Sequence, residues 1–442
     1  MVSQIVKPDR TFQAAFESLR ETDPAAAWVQ LVRETAMDRF ESLGFPSVAD
    51  EEWKYTNLAP WAKGSFTPAS NQSHITRDAV KSLRSDETAN SHLVLVNGFL
   101  REDLSSKSAL DEIVVIDLFS AIGDARYSKV VREYLARNAN YPDSGLVSLN
   151  TAFLRSGLFI FVPKNVHVSQ PIHVTNVSDE PGDYAVSFPR LLLVAEENSS
   201  ASLIESFSSF SNSTYFNNAV AEIVLGDGAR LEHVRIQQES PNSLHVGNTT
   251  AELGPNSSYD STAITLGGKL SRHDVSVVLD HEGAECWVDG LYVVGSEQHA
   301  DTHSVIDHKR AHCTSHQLYK GILDGNGRAV FNGKIFVREG AQKTDAMQTN
   351  KNLLLSDRAR VDTKPQLEIY ADDVKCAHGA AVGQINEDEL FYLLTRGINP
   401  TVGRNLLTYG FAEEVIGKIK VDSIRMAVDQ AVLRQLKTVL VN

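Results

Sequence analysis

A cysteine and a histidine stand one residue apart in DDVKCAHGAAVGQ, residues 372–384. In an extended chain alternate residues share a face, so Cys376 and His378 project to one side, with Val374 and Ala380 in the same row. A thiolate and an imidazole on one face can hold iron or zinc. Two ligands fall short of a tetrahedral site, so the others would have to come from elsewhere in the chain or from another subunit. The competing reading of the same residues is a packed stretch of wall.

A second concentration of ligand-type side chains lies upstream. His273, His281, His299, His303, His308, His312 and His316 are seven of the fourteen histidines, within 44 residues. Imidazoles four residues apart share one side of a helix or of a strand, which makes His303 and His312 candidate metal ligands. The run SEQHADTHSVIDHKRAHCTSHQLYKG lacks the apolar period of a helix. A polar ladder, a turn or a subunit interface is the alternative use of these residues. Cys313, in HCTSH, is a poor chelating partner for His312, because neighbours on a strand point to opposite faces; a buried structural thiol is the simpler reading. The chain has no His-Glu-x-x-His zinc motif, no Gly-x-Ser-x-Gly elbow, no Gly-x4-Gly-Lys-Ser/Thr phosphate loop and no Gly-x-Gly-x-x-Gly fingerprint. ATP hydrolysis by this chain and Rossmann-type dinucleotide binding are therefore not expected.

The elements that must position these residues change character twice. FQAAFESLR and AAAWVQLVRETAMDRFESL read as helices, with Trp28, Leu31, Met37 and Phe40 near one face and Gly44-Phe45-Pro46 as a stop. SVADEEWKYTNLAPW follows, and residues 63–90 are polar and weakly patterned, a linker or an extended cover. From about residue 91 the period shortens to that of strands: HLVLVNGFL, SGLFIFVPKN, PRLLLVAEENS, ECWVDGLYVV, GRAVFNGKIFVR and QLEIYAD are examples, rich in Val, Ile and Leu and punctuated by Gly, Asn, Asp and Ser. The helical stretch 117–137 reads as an insertion. Crossover helices of an α/β fold are missing. The short strand–turn units favour a parallel β-helix over a sandwich, with a propeller also open. INEDELFYLLTRG returns to helix, with Asn386 as cap, Glu389 completing a capping box and Gly397 as stop. The final helix presents Ile424, Val428, Val432, Leu436 and Leu440 at intervals of four. This divides the chain into 1–90 (helical region and linker), 91–380 (β body) and 381–442 (helical region). Helices at both ends would cover exposed strand edges.

Bulk properties bound the function. The chain has 442 residues, 42% apolar and 22% charged, with a formal net charge of -14. That charge disfavours nucleic acid and anionic membrane surfaces as main partners. No run reaches the roughly 18 apolar residues of a membrane span. Three scattered cysteines, Cys286, Cys313 and Cys376, form no disulfide framework and suit a reducing compartment. The N-terminus lacks the apolar run of a signal peptide, so a cytoplasmic location is expected.

The run LEIYADDVKCAHGAAVGQINEDELFYLLTRGI, residues 367–398, resembles the C-terminal signature of the SufB/SufD family of iron–sulfur cluster assembly proteins. QTNKNLLLSDRARVDTKPQLEI and DEEWKYTNL resemble the same family, and the resemblance covers most of the chain, strongly over 301–410 and weakly over 91–260. The resemblance is to the SufD branch. Where SufB carries its principal cluster-assembly cysteine, this sequence has Leu393, which implies an assisting subunit and not the main scaffold. The resemblance implies a right-handed parallel β-helix between N- and C-terminal helical regions, pairing with SufB through the β-helix and docking a SufC ATPase through the C-terminal helices. It implies a non-enzymatic component of a SufBCD complex, with ATP bound by SufC and no stably bound cofactor. His378 would face the SufB partner as a transient contact for iron or a nascent cluster, Cys376 less firmly so. The alternatives are a metal-dependent β-helix enzyme using His303 and His312, and a purely structural subunit. A homodimer is the pairing open to the isolated chain.

Overall fold

The computed structural model of the protein describes residues 10–23, 25–62, 64, 66–137, 144–179 and 184–439. Its centre is a stack of strands whose sequences alternate inward and outward residues and whose corners are single left-handed residues. His299–His308, Thr314–Leu323, Arg328–Val337, Asp345–Leu354 and Arg360–Ile369 are successive strands of ten residues each. Corners fall at Gly283, His312, Gly325 and Lys343, all with φ between 59° and 72°. Alternate strands go to two different sheets. One runs Arg360–Ile369, Arg328–Val337, His299–His308, Leu270–Leu279, Leu244–Leu253, Tyr215–Leu225, Arg190–Ala195, Leu158–Val162, Val114–Asp117; the other starts at Lys375–Gly383 and Asp345–Leu354 and continues through Thr314–Leu323 and Glu285–Val294. The long strands pair in parallel with the strand one turn before and one turn after. This is a parallel β-helix, and the parallel pairing rules out the antiparallel sandwich.

Leu, Val and Ile from both sheets fill the lumen, among them Leu203, Leu231, Val277, Ile306 and Ile335, each 0–1% exposed. Burial of each contributes about 1.5–3 kcal/mol. Two tyrosines use glycines as sockets. Register places Gly290 beside Tyr319 and Tyr292 beside Gly321, and each ring occupies the space a Cβ on the facing glycine would need.

The helices lie on the outer faces and do not cap the stack ends as the sequence reading expects. Arg10–Thr22, Ala27–Leu43 and Gly145–Ala152 pack Phe12, Phe16, Phe40 and Leu149 against Phe216, Val246 and Leu270 of the first sheet. Leu31 is not part of that contact and is 64% exposed. The helix buries Val29, Arg33, Ala36, Met37 and Phe40, and Leu31 falls roughly 200° around the helix from Val29. Leu118–Gly123 and Ser128–Tyr134 pack on Phe159 and Leu192. On the second sheet, Pro400–Ile416 and Asp422–Val439 bury Val415, Ile416, Ile424, Val428, Val432 and Leu436 against Val234, Ile264, Leu291 and Ile322. Leu440 lies outside the described residues. Lys418 reaches the buried Asp289 at 2.6 Å, and Lys420 reaches Glu232 at 2.7 Å, so the C-terminal helices are moored ionically as well.

The two ends of the stack differ. At the N-terminal end short antiparallel strands close it, Val114–Asp117 on Leu158–Val162 and Phe99–Leu100 on His92–Val96. At the other end Arg360–Ile369 and Lys375–Gly383 each have one paired edge and one free edge among the described residues. The tyrosine–glycine sockets give a direct test of the interior. Gly290→Ala is expected to lower stability by about 1–3 kcal/mol through overpacking, measured by urea unfolding. A substitution of exposed Gly379, which has open space around it, is expected to change it little.

Candidate functional site

The free end brings Cys376 and His378 to the mouth of the lumen. Register sets Cys376 beside Ala346 and His378 beside Gln348. Ala346 is fully buried in the core and Gln348 is 1% exposed, so both point inward, and the next rung continues their rows. Cys376 packs half-buried against the core, while His378 is exposed because no further rung covers it. The row behind His378 is polar: Gln348 donates to Gln317 Oε1 at 2.7 Å, and Ser304 donates to the same oxygen at 3.1 Å. Among the described residues neither Gln348 Oε1 nor the buried hydroxyl of Thr363 across the lumen has a partner. Ile369, Tyr370 and Val382 form an exposed apolar rim, 40%, 59% and 49% accessible. The end is therefore a ring of unpaired backbone and apolar rim around a polar mouth carrying an imidazole and a thiol. Burial pushes the Cys376 thiol above its ordinary value. The two side chains supply two soft or borderline donors, and a complete coordination shell needs donors from whatever stacks on them.

The upstream histidines are dispersed. His273 and His308 point inward and bond Thr249 at 3.1 Å and Ser315 at 2.8 Å. His312 is a corner residue, exposed, its φ at 60°. His316 stacks on Trp287 at 6.1 Å, and His281 is exposed. His299 and His303 share an outward row. Among the described residues no group of three or more His, Cys, Asp or Glu is placed to hold a metal ion.

His303 belongs to a network that sequence reading missed. The short helical turn Glu51–Trp53 lies across the outside of the first sheet. Glu52 accepts from His303 Nδ1 and from Asn332 Nδ2, both at 3.2 Å, and is bound by Lys334. Glu51 meets Lys364 at 2.5 Å. Arg272 sits 3.7 Å above the Trp53 ring and donates to the Glu52 carbonyl at 2.7 Å and to Asp301 at 2.8 Å. Thr56 donates to Asp301 at 2.6 Å. The strap thus touches four successive rungs. The signal was present as DEEWKYTNL and as charged residues recurring at rung spacing, but partners up to 313 residues away cannot be read from local pattern.

The hydrogen bond from His303, aided by Lys334, holds the Glu52 carboxyl at about 2 against burial. Burial pulls His303 down, but Asp301 and Glu52 outweigh it and raise its pKa. Glu52 therefore stabilises the strap above its ordinary 4.5 and loses that contribution as pH falls towards 2. His303 contributes fully below its ordinary 6.5 and loses that contribution as pH rises through its raised value. Protection of residues 51–57 from hydrogen exchange, taken relative to the intrinsic rate at each pH, is expected to be greatest between these ordinary values and to fall on both sides. The cysteines give a second test. Cys286 and Cys313 are fully buried with thiols raised by burial. Iodoacetamide is expected to alkylate Cys376 in the native protein and the other two only after unfolding.

A further surface lies on the C-terminal helices. Phe391 and Tyr392 on Glu387–Thr395, and Val402 and Leu406 on Pro400–Ile416, are 48–66% exposed. Asn386 caps the first of these helices by accepting from the amides of Asp388 and Glu389.

Comparison with known proteins gives this geometry a family. Residues 175–411 match the SUF system FeS cluster assembly SufBD core domain, and residues 9–174 match the SufBD protein N-terminal region. An iron-sulfur cluster assembly SufBD family protein of Synechocystis is 33% identical over 96% of this chain and 95% of its own. Iron-sulfur cluster assembly protein SufD of Escherichia coli is 32% identical over 87% and 88%, and the chloroplastic protein ABCI7 of Arabidopsis thaliana is 32% identical over 94% and 87%. The chain belongs to the SufB/SufD family of iron–sulfur cluster assembly proteins, with SufD among its relatives.

Proposed function

We propose that the protein is the SufD-like, non-ATPase subunit of a SufBCD-type complex in the cytoplasm, and that it helps a SufB partner acquire iron or form a cluster. The observation that carries this reading is the one-sided free end, on which His378 continues an inward row and faces outward for want of another rung. A partner's β-helix stacked there would satisfy the free backbone edges by strand addition and cover the apolar rim. It would also enclose His378 between the two chains. An imidazole suits a passing iron cargo, because a hydrogen bond at its second nitrogen tunes its basicity. The remaining donors would come from SufB.

The exposed apolar residues of the C-terminal helices fit a docking surface for SufC. Movement of that ATPase on nucleotide binding would pass through these helices, which are moored to the second sheet by Lys418 and Lys420, to the shielded SufB–SufD boundary. A metal-dependent enzyme built on His303 and His312 finds little support, since one is engaged by Glu52 and Asp301 and the other sits in the corner beyond the end of that strand. A purely structural subunit remains the competing reading, and one variant separates the two. His378→Ala, co-expressed with SufB and SufC, is expected to assemble normally while iron or cluster content falls several-fold. Unchanged cluster content in an intact complex would favour the structural role.

A further inference from the structure

One column on the outer face of the second sheet carries donors that neither the lumen nor the strap uses. Trp287, His316, Met347 and Ala377 are register neighbours on the strands Glu285–Val294, Thr314–Leu323, Asp345–Leu354 and Lys375–Gly383. The residues just before the first three, Cys286, Ser315 and Ala346, are fully buried, so the column faces outward. Adjacent members stand about 4.8 Å apart. Cys376 and His378 share the last strand but continue the inward rows of Ala346 and Gln348.

His316 and Trp287 stack with ring centroids 6.1 Å and planes 15° apart. That indole is the only ring or polar partner of His316 among the described residues. By contrast His299, His303 and His308 are hydrogen-bonded, to Thr56, Glu52 and Ser315. On the other side of His316 stands Met347, 44% exposed. Ala377, next in the column, is exposed as well and carries only a methyl group, so the Met347 side chain is open to approach.

An imidazole nitrogen and a thioether sulfur are borderline and soft donors, and a thioether selects Cu(I) over the harder first-row ions. Ions of this d10 monovalent type accept few ligands, whereas zinc takes a full tetrahedral set and hard cations take oxygen. The column holds no carboxylate and no thiolate. The two rings are nearly parallel, so an ion in the imidazole plane stays against one π face of the indole, where a cation is attracted.

We propose that His316 and Met347 form a surface site for a soft monovalent metal ion of the Cu(I) type, with Trp287 as its π wall. A ring nitrogen of His316 and the Met347 sulfur are the protein ligands, and the open side next to Ala377 leaves room for a donor from solvent.

Ag(I), which shares the ligand preference of Cu(I) without its redox chemistry, tests this on the full chain. Cys376→Ser serves as the background, so that the half-buried thiol does not compete. With methionine methyl groups labelled in 13C, one equivalent of Ag(I) is expected to shift the Met347 signal, assigned by its loss in Met347→Leu. Met347→Leu and His316→Gln are each expected to weaken binding about tenfold or more. Met347→Leu nearly conserves volume at an exposed position, so the fold is expected to survive it. Ag(I) is also expected to quench tryptophan fluorescence, and Trp287→Phe to remove that quenching. Zn(II) is expected to leave the Met347 methyl signal in place. An unmoved Met347 signal, or unchanged affinity in Met347→Leu and His316→Gln, would mean adventitious binding only and overturn the proposal. So would quenching that persists in Trp287→Phe, or Zn(II) that shifts the Met347 methyl as readily as Ag(I).

Discussion

Backbone hydrogen bonding between one turn of chain and the next, in parallel and in register, is the constraint from which the other features follow. It fixes which residue stands above which, so that a position on one rung has permanent neighbours on the rungs before and after. Core ladders, tyrosine–glycine sockets and the strap's charged contacts are all rows generated by this stacking. A substitution is therefore felt first along its row and only then along the chain. The lumen tolerates polar rows, such as Gln317 and Gln348, because side chains on adjacent turns are held close enough to bond one another, and Ser304 of the facing sheet adds a bond to the same oxygen.

Much of the architecture was legible in the sequence, because strands announce themselves by alternation and helices by their apolar spacing. The Asn386 cap, the buried series Ile424, Val428, Val432 and Leu436, and the shared row of Cys376 and His378 all follow from local periodicity. The choice between β-helix and sandwich was less clear for a physical reason. Leu244, Leu270, His299, Arg328 and Arg360 are stacked equivalents, yet the steps between them are 26, 29, 29 and 32 residues. Corners absorb the difference, so the repeat exists in space and not in sequence.

The histidine-rich segment shows the same limit from the other side. Its seven imidazoles lie within 44 residues, about one and a half steps of the stack. A run of that length visits both sheets, both faces and the corners between them, so closeness in sequence disperses the side chains. Closeness in space belongs instead to residues about one step apart, as with Asp274, His303 and Asn332, or to the distant strap. The shared face of Cys376 and His378 was legible because both sit on one strand. The network beneath Glu51–Trp53 was not, because it needs two parts of the chain separated by more than two hundred residues.

Closure of the stack at one end and not at the other sets a rule of valence. A β-helix free at both ends could add copies indefinitely and grow into a fibre. Here short antiparallel strands terminate the register at the N-terminal end. Among the described residues the long free edges, of ten and nine residues, are therefore at one end only, and those at the other end are four and two residues long. Strand addition through long edges alone would join such stacks two at a time and would not extend them into a fibre.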